Sequence, residues 1–161
     1  SDNVKLDSPT FAIEVMCKHF ATTGDVTTNY HLFSNESYSN YGVCFRLDGT
    51  TLKPYLRTSQ ASAATGIYCD KALDDGKWHH IVAVKDSENE IIYLYIDGTL
   101  EASQSIISGY SWPGEGLCLG GGNQSSGSPL PFMNFKINNF RYWHKALTSD
   151  EIFEIYYSIN K

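Results

Sequence analysis

DDGKWHHIVAVKDSENEIIYLYIDGTLEAS, residues 74–103, decides how the rest of the chain is read. From Trp78 the residues alternate with period two, so Trp78, His80, Val82 and Val84 share one side of a strand and His79, Ile81, Ala83 and Lys85 the other. The polar run Asp86–Glu90 interrupts the pattern before Ile92, Leu94 and Ile96 resume it on one face, with Tyr93 and Tyr95 opposite. Two strands joined by a polar turn predict a hairpin. Asp97-Gly98 follows, a dipeptide that tolerates the positive φ angles of a tight type I′ turn, and the segment is therefore predicted to be a three-stranded meander.

Outward from this centre the same alternation recurs. Phe11–Phe20 (FAIEVMCKHF) sets Phe11, Ile13, Val15 and Cys17 against Ala12, Glu14, Met16 and Lys18, which predicts a first strand with one buried face. A short strand is expected in YHLFSN. Strands at Val43–Leu47 and Leu52–Arg57 follow, closed by a second Asp-Gly turn at Asp48-Gly49. SQASAATG reads as a small-residue connection, and Ile106–Leu119 as two short strands around a Pro-Gly turn. Phe135–Trp143 is predicted to be a strand bulged at Asn138-Asn139, because Ile137, Phe140 and Tyr142 do not keep one register. Thr148 with Glu151 forms a capping box, and Ile152, Ile155 and Tyr156 recur at helical spacing, so a short helix should lay an apolar stripe on the sheet. About a dozen short strands and one late helix argue for an all-β fold, two antiparallel sheets packed face to face.

Composition bounds the function. At 161 residues, with 42% hydrophobic and 19% charged residues, the chain reads as a single domain, 1–161, cut from a longer protein. The net charge of −6, with no basic run, argues against nucleic acid and anionic lipid, and no apolar stretch approaches a membrane span. The opening SDNVKLDSPT carries no signal-peptide apolar core. Cys17, Cys44, Cys69 and Cys118 are too irregularly spaced for paired CxxC motifs, and two readings stand: buried free thiols, or one or two disulfides. Asn35-Glu36-Ser37 and Asn123-Gln124-Ser125 fit the glycosylation sequon.

GKWHHIVAVKD, YLYIDGTLEAS, LCLGGGNQ and FMNFKINNFRYWHKALTSDEI occur in the order found in laminin-G-like and pentraxin-like jelly rolls, and the chain resembles that part of the concanavalin A-like lectin/glucanase superfamily over nearly its whole length. The resemblance implies a jelly-roll sandwich with one convex and one concave sheet, used to bind glycans, steroids or proteins, often with calcium. Two departures from pentraxins stand out. Their disulfide between the first strand and the Trp-His-His strand has no counterpart, since Val82 occupies the place expected opposite Cys17. Their calcium loop carries carboxylates, whereas Gly121–Ser126 offers only Asn123 and Gln124, too little charge for a hard cation. No cofactor or metal is therefore assigned, with a structural calcium elsewhere left open.

The superfamily's glucanases present alternate carboxylates on a cleft-lining strand. Here Asp86, Glu88 and Glu90 fall in a turn, and His79 and His80 point to opposite faces, so neither set reads as catalytic. Sugar sites pair an aromatic platform with planar amide, carboxylate or guanidinium groups. Two loops hold that chemistry: Tyr38, Asn40 and Tyr41 in one, Tyr110, Trp112, Asn123 and Gln124 in the other. Tyr55, Arg57 and Tyr93 are candidates for the concave sheet. Trp112, before a proline in a turn, is expected to be more exposed than Trp78 or Trp143, which lie in strands. The function expected is a non-catalytic, lectin-like domain that binds a cell-surface glycan or polysaccharide, extracellular or surface-exposed. The alternative is a protein-binding or adhesion module that meets a protein receptor, such as the head of a viral or phage attachment protein.

Overall fold

The computed structural model describes residues 8–19, 30–34, 42–47, 53–60, 63–71, 73, 75–106, 118–119 and 135–161. Among these described residues, ten strands and one helix follow in order: β1 Phe11–His19, β2 Tyr30–Ser34, β3 Gly42–Leu47, β4 Pro54–Gln60, β5 Ala63–Tyr68, β6 Trp78–Asp86, β7 Ile91–Ile96, β8 Thr99–Ser105, β9 Cys118–Leu119, β10 Phe135–Trp143 and α1 Ser149–Ile159. They form two five-stranded antiparallel sheets, β10-β1-β6-β7-β8 and β5-β4-β3-β2-β9. Between the sheets Phe11, Ile13, Val15, Ile81, Ile92 and Leu94 of the first meet Leu32, Phe33, Leu56 and Ile67 of the second. The result is the expected jelly-roll sandwich. No helix among the described residues is long and apolar enough to cross a membrane.

The meander at β6-β7-β8 forms as its pattern predicts. Asp86 holds the first turn by accepting from the backbone N–H of Glu88 and of Asn89, both at 3.0 Å. Asp97 and Gly98 close the second with φ of 53° and 75°, the left-handed pair a type I′ turn requires. Opposite β1, the strand β10 bulges where expected: Glu14 faces Arg141 and Met16 faces Asn138, so Val15 stands across from two residues, with Asn139 at φ 52°.

Three expectations are corrected. The strand β1 buries both faces, because α1 covers the outer side of the first sheet: Ala12, Val82, Val84 and Tyr95 pack there against Leu147 and Ile152. A strand's alternation cannot reveal a helix that arrives from the far end of the chain. SQASAATG is not a plain connection but supplies β5, an edge strand paired residue by residue with β4. Small residues have weak strand preference of their own and take it from the neighbour. Trp78, which opens β6 at the sandwich end, is 43% exposed, while Trp112, with which it was compared, lies outside the described residues. Finally, the residue opposite Cys17 is His79; Val82 pairs with Glu14. Cys17 and Cys69 are buried free thiols, and burial pushes Cys17 up to about 12. Cys44 and Cys118 both pair with Ser34 from opposite sides, which separates their Cα atoms by about 10 Å, two strand spacings, beyond disulfide reach. The Asp48-Gly49 turn and most of Ile106–Leu119 lie outside the described residues.

The histidine pair divides between the two faces of β6. On the inner side His79, as imidazolium, donates from Nδ1 to Asp97 Oδ2 at 2.9 Å and from Nε2 to Asp75 Oδ1 at 3.0 Å. Lys71 Nζ also donates to Asp97 Oδ2, at 2.6 Å, and the His80 backbone N–H to Asp97 Oδ1, at 3.0 Å. Hydrogen bonding to Asp97, against the opposing effect of burial, raises the His79 pKa. Burial pushes Asp97 upward, but the His79 and Lys71 donors outweigh it and hold the carboxyl low. On the outer side His80 stacks on Tyr156 of α1, and its Nε2 lies 3.5 Å from the buried Glu14, which Arg141 Nη1 reaches at 2.9 Å. Burial alone would raise Glu14, yet His80 and Arg141 keep its pKa below the ordinary value.

Two outcomes follow for stability. The raised His79 contributes fully below its ordinary 6.5 and is lost as pH rises through its folded pKa; Asp97, depressed, contributes above its ordinary 3.8 and is lost on acidification. The urea midpoint should therefore fall as pH is raised from 6.5, and His79→Gln should flatten that alkaline decline; an unchanged slope in the variant would contradict the assignment. Ile152→Ala, at a fully buried helix position, should cost about 2–5 kcal/mol in urea unfolding, while the neighbouring Phe153→Ala, 58% exposed, should change stability by less than about 0.5 kcal/mol.

Candidate functional site

With α1 laid over the outer face of the first sheet, the outer face of the second is where side-chain chemistry is displayed. Along β4, Leu56 points into the core, so Tyr55 and Arg57 point outward; along β5, Ile67 is buried and Tyr68 outward, 54% exposed. Tyr55 and Tyr68 are direct cross-strand partners, and their rings stack with centroids 4.3 Å apart and planes inclined by 28°. What allows this is a missing side chain. Gly66 faces Arg57, and a Cβ there would sit 2.0 Å from the Tyr55 hydroxyl, so the Tyr55 ring lies across the space glycine leaves.

Charge borders the rings. Lys53 and Asp70, flanking the two strands, form an exposed ion pair, which lowers the Asp70 pKa and raises that of Lys53. Arg57, half-buried, adds a guanidinium with a fixed planar fork of donors. The backbone register continues the Tyr55–Tyr68 row across the sheet through Arg46 and His31. An aromatic surface bordered by planar and charged hydrogen-bonding groups suits a ring that has C–H on its face and hydroxyls at its rim.

Among the sequence-predicted site residues, Tyr55 and Arg57 are brought together here. Tyr93, grouped with them, lies on the opposite outer face of the sandwich, beside Tyr95 and the helix, and leaves that set. Tyr38, Asn40, Tyr41, Tyr110, Trp112, Asn123 and Gln124 lie outside the described residues. Tyr68 was missed. Its signal is present, an aromatic two residues after a glycine with apolar neighbours on both sides, but only the pairing of β5 with β4 gives it meaning.

Neither set of groups weighed for catalysis gathers in a cleft. Glu88 and Glu90 are exposed at the β6–β7 hairpin tip and Asp86 is engaged by its turn. Among the described residues no group of three His, Cys, Asp or Glu is placed to hold a metal ion.

No curated protein sequence matches the chain significantly. Solved structures share its fold at low identity. A heptameric SAP-like pentraxin from Limulus polyphemus superposes with a TM-score of 0.72 at 14% identity, covering 96% of this chain and 73% of the pentraxin. The CBM40 of the Ruminococcus gnavus IT-sialidase, solved with alpha2,3 sialyllactose, gives 0.73 at 16% identity, covering 92% of this chain and 83% of that one. The botulinum neurotoxin type G receptor binding domain gives 0.70 at 15% identity over 94% of this chain, which spans only 38% of the toxin domain. A laminin-G-type family model, described as the concanavalin A-like lectin/glucanases superfamily, matches residues 1–153, and the chain belongs to that superfamily.

Proposed function

We propose that this domain is a non-catalytic carbohydrate-binding module that receives glycans on the outer face of the β5-β4-β3-β2-β9 sheet. The carrying observation is the stacked Tyr55–Tyr68 pair, whose Tyr68 ring is more than half exposed beside Arg57. An exposed, pre-stacked aromatic pair in a rigid sheet loses little rotamer freedom on binding, so the contact area it offers comes at low entropic cost. Tyr68 would carry the apolar face of a sugar ring, Arg57 would donate to a hydroxyl or carboxylate, and the Lys53–Asp70 pair would border the site. The two loops with Tyr38, Asn40, Tyr41, Tyr110, Trp112, Asn123 and Gln124 complete the reading as further contacts. The glycan is one displayed on a cell surface or polysaccharide, and the domain is part of a larger surface-exposed or secreted protein. Two of the structural relatives named above support this reading: one is a sialidase carbohydrate-binding module, the other a toxin receptor-binding domain.

A protein-binding module is the second reading, favoured by the exposed, stacked Phe153 and Tyr157 on α1.

A glycan array followed by calorimetry on the hits separates the two. Tyr68→Ala and Arg57→Ala should each weaken binding roughly tenfold or more without shifting the urea midpoint by more than about 1 kcal/mol in equivalent stability. An empty array, or hits bound equally by Tyr68→Ala, would refute the glycan platform.

A further inference from the structure

On the opposite side of the sandwich a groove of about 410 Å³ opens between the outer face of the first sheet and the start of α1. Tyr93, Tyr95 and Leu100 supply its apolar walls, and Asp86, Thr148 and Ser149 its polar ones. Its volume falls in the range of small-molecule sites, roughly 300–1,000 Å³.

A specific irregularity builds it. Along β7 and β8 the pairing shifts by one between Leu94 and Tyr95: Leu94 faces Ala102, but Tyr95 faces Leu100. The extra residue is Glu101. Without that bulge Leu100 would stand opposite Ile96 and share its inward face; with it, Leu100 joins Tyr95 on the outer face and remains 47% exposed. An apolar side chain re-aimed into a groove beside two tyrosines is a wall rather than a core residue. The Tyr93 and Tyr95 rings are 6.4 Å apart and inclined by 41°, which leaves a sloping aromatic surface. The far side is fixed by the helix, because Tyr95 Oη and Ser149 Oγ share a hydrogen bond at 3.0 Å.

The charge of the lining selects the ligand. Among the described residues that line the groove there is no lysine, arginine or histidine, whereas Asp86 is present; the first turn of α1 carries Asp150 and Glu151, the latter paired with Lys145. An anion is repelled. Asp86 already accepts from the Glu88 and Asn89 backbone N–H groups and from Asn89 Nδ2, which satisfies much of its charge and leaves it suited to further neutral donors. We infer that this groove is a second ligand site, for a single neutral pyranose ring: C–H face on Tyr93 and Leu100, hydroxyls donating to Asp86 and hydrogen-bonding with Ser149. The inference rests on no residue of the Tyr55–Tyr68 platform, so either can fail alone. Sites on opposite faces would let one chain bridge two glycan strands.

The test is an amide-resolved NMR titration of the whole chain with methyl glycosides of glucose, galactose, mannose and N-acetylglucosamine, and separately with tetramethylammonium chloride. At least one glycoside should shift the amides of Tyr93, Leu100 and Ser149 with a dissociation constant near about 1 mM. Leu100→Glu, at an exposed edge position, should weaken this by roughly tenfold or more, and Tyr68→Ala should leave it unchanged. Tyr93→Ser serves as the second variant if Leu100→Glu loses its native spectrum. The inference is overturned if groove amides do not respond to any of the four glycosides, if they respond equally in Leu100→Glu and Tyr93→Ser, if only tetramethylammonium moves them, or if Tyr68→Ala abolishes the response.

Discussion

The Asp97-Gly98 turn holds the two sides of the first sheet in one arrangement. Both residues adopt left-handed backbone, so the β7–β8 hairpin closes there and nowhere else nearby. The Asp97 carboxylate then gathers Lys71, His79 and the His80 N–H at the inner end of the sandwich. Gly98 serves the other side: a Cβ would stand 2.9 Å from the Tyr156 ring, so the absence of a side chain lets α1 settle on the sheet. A half-buried carboxylate with that many donors is stabilised as an ion, whereas an unmatched one would be costly. Geometry and charge thus coincide at one dipeptide.

Covering one outer face with α1 divides the labour between the sheets. The strands β1, β6 and β7 become two-sided, with apolar residues packed both between the sheets and under the helix. The second sheet retains an outer face with exposed rings and charges, and β5, rich in small residues, yields the surface on which Tyr55 lies. Where α1 begins, its end wall and the Glu101 bulge leave the groove on the covered side. The helix α1 therefore walls the groove on one side and leaves the Tyr55–Tyr68 face uncovered on the other.

For the candidate residues on described strands, the sequence shows residue type and facing but not grouping. Tyr55 and Arg57 read as outward-facing because Leu56 between them marks the inward face. Tyr93 looked equivalent by the same logic, yet alternation gives only inward or outward, not which of two sheets a strand joins. Tyr68 and Leu100 were invisible for related reasons. One depends on a strand pairing between segments of weak propensity, the other on a one-residue register shift that reverses the face of every residue beyond it.

Local order is what the sequence by itself determined: the meander, its Asp-Gly reversal, the bulge at Asn138-Asn139, the Thr148–Glu151 cap and the two-sheet class. These rest on interactions within a few residues or on the period of apolar positions, which a linear string carries. Only the tertiary structure decided that β1 is buried on both sides, that Trp78 is exposed, that His79 meets two carboxylates, and that Tyr55 stacks on Tyr68 across Gly66. Each of these depends on which distant segments become neighbours, and that is set by how the whole chain buries its apolar surface at once.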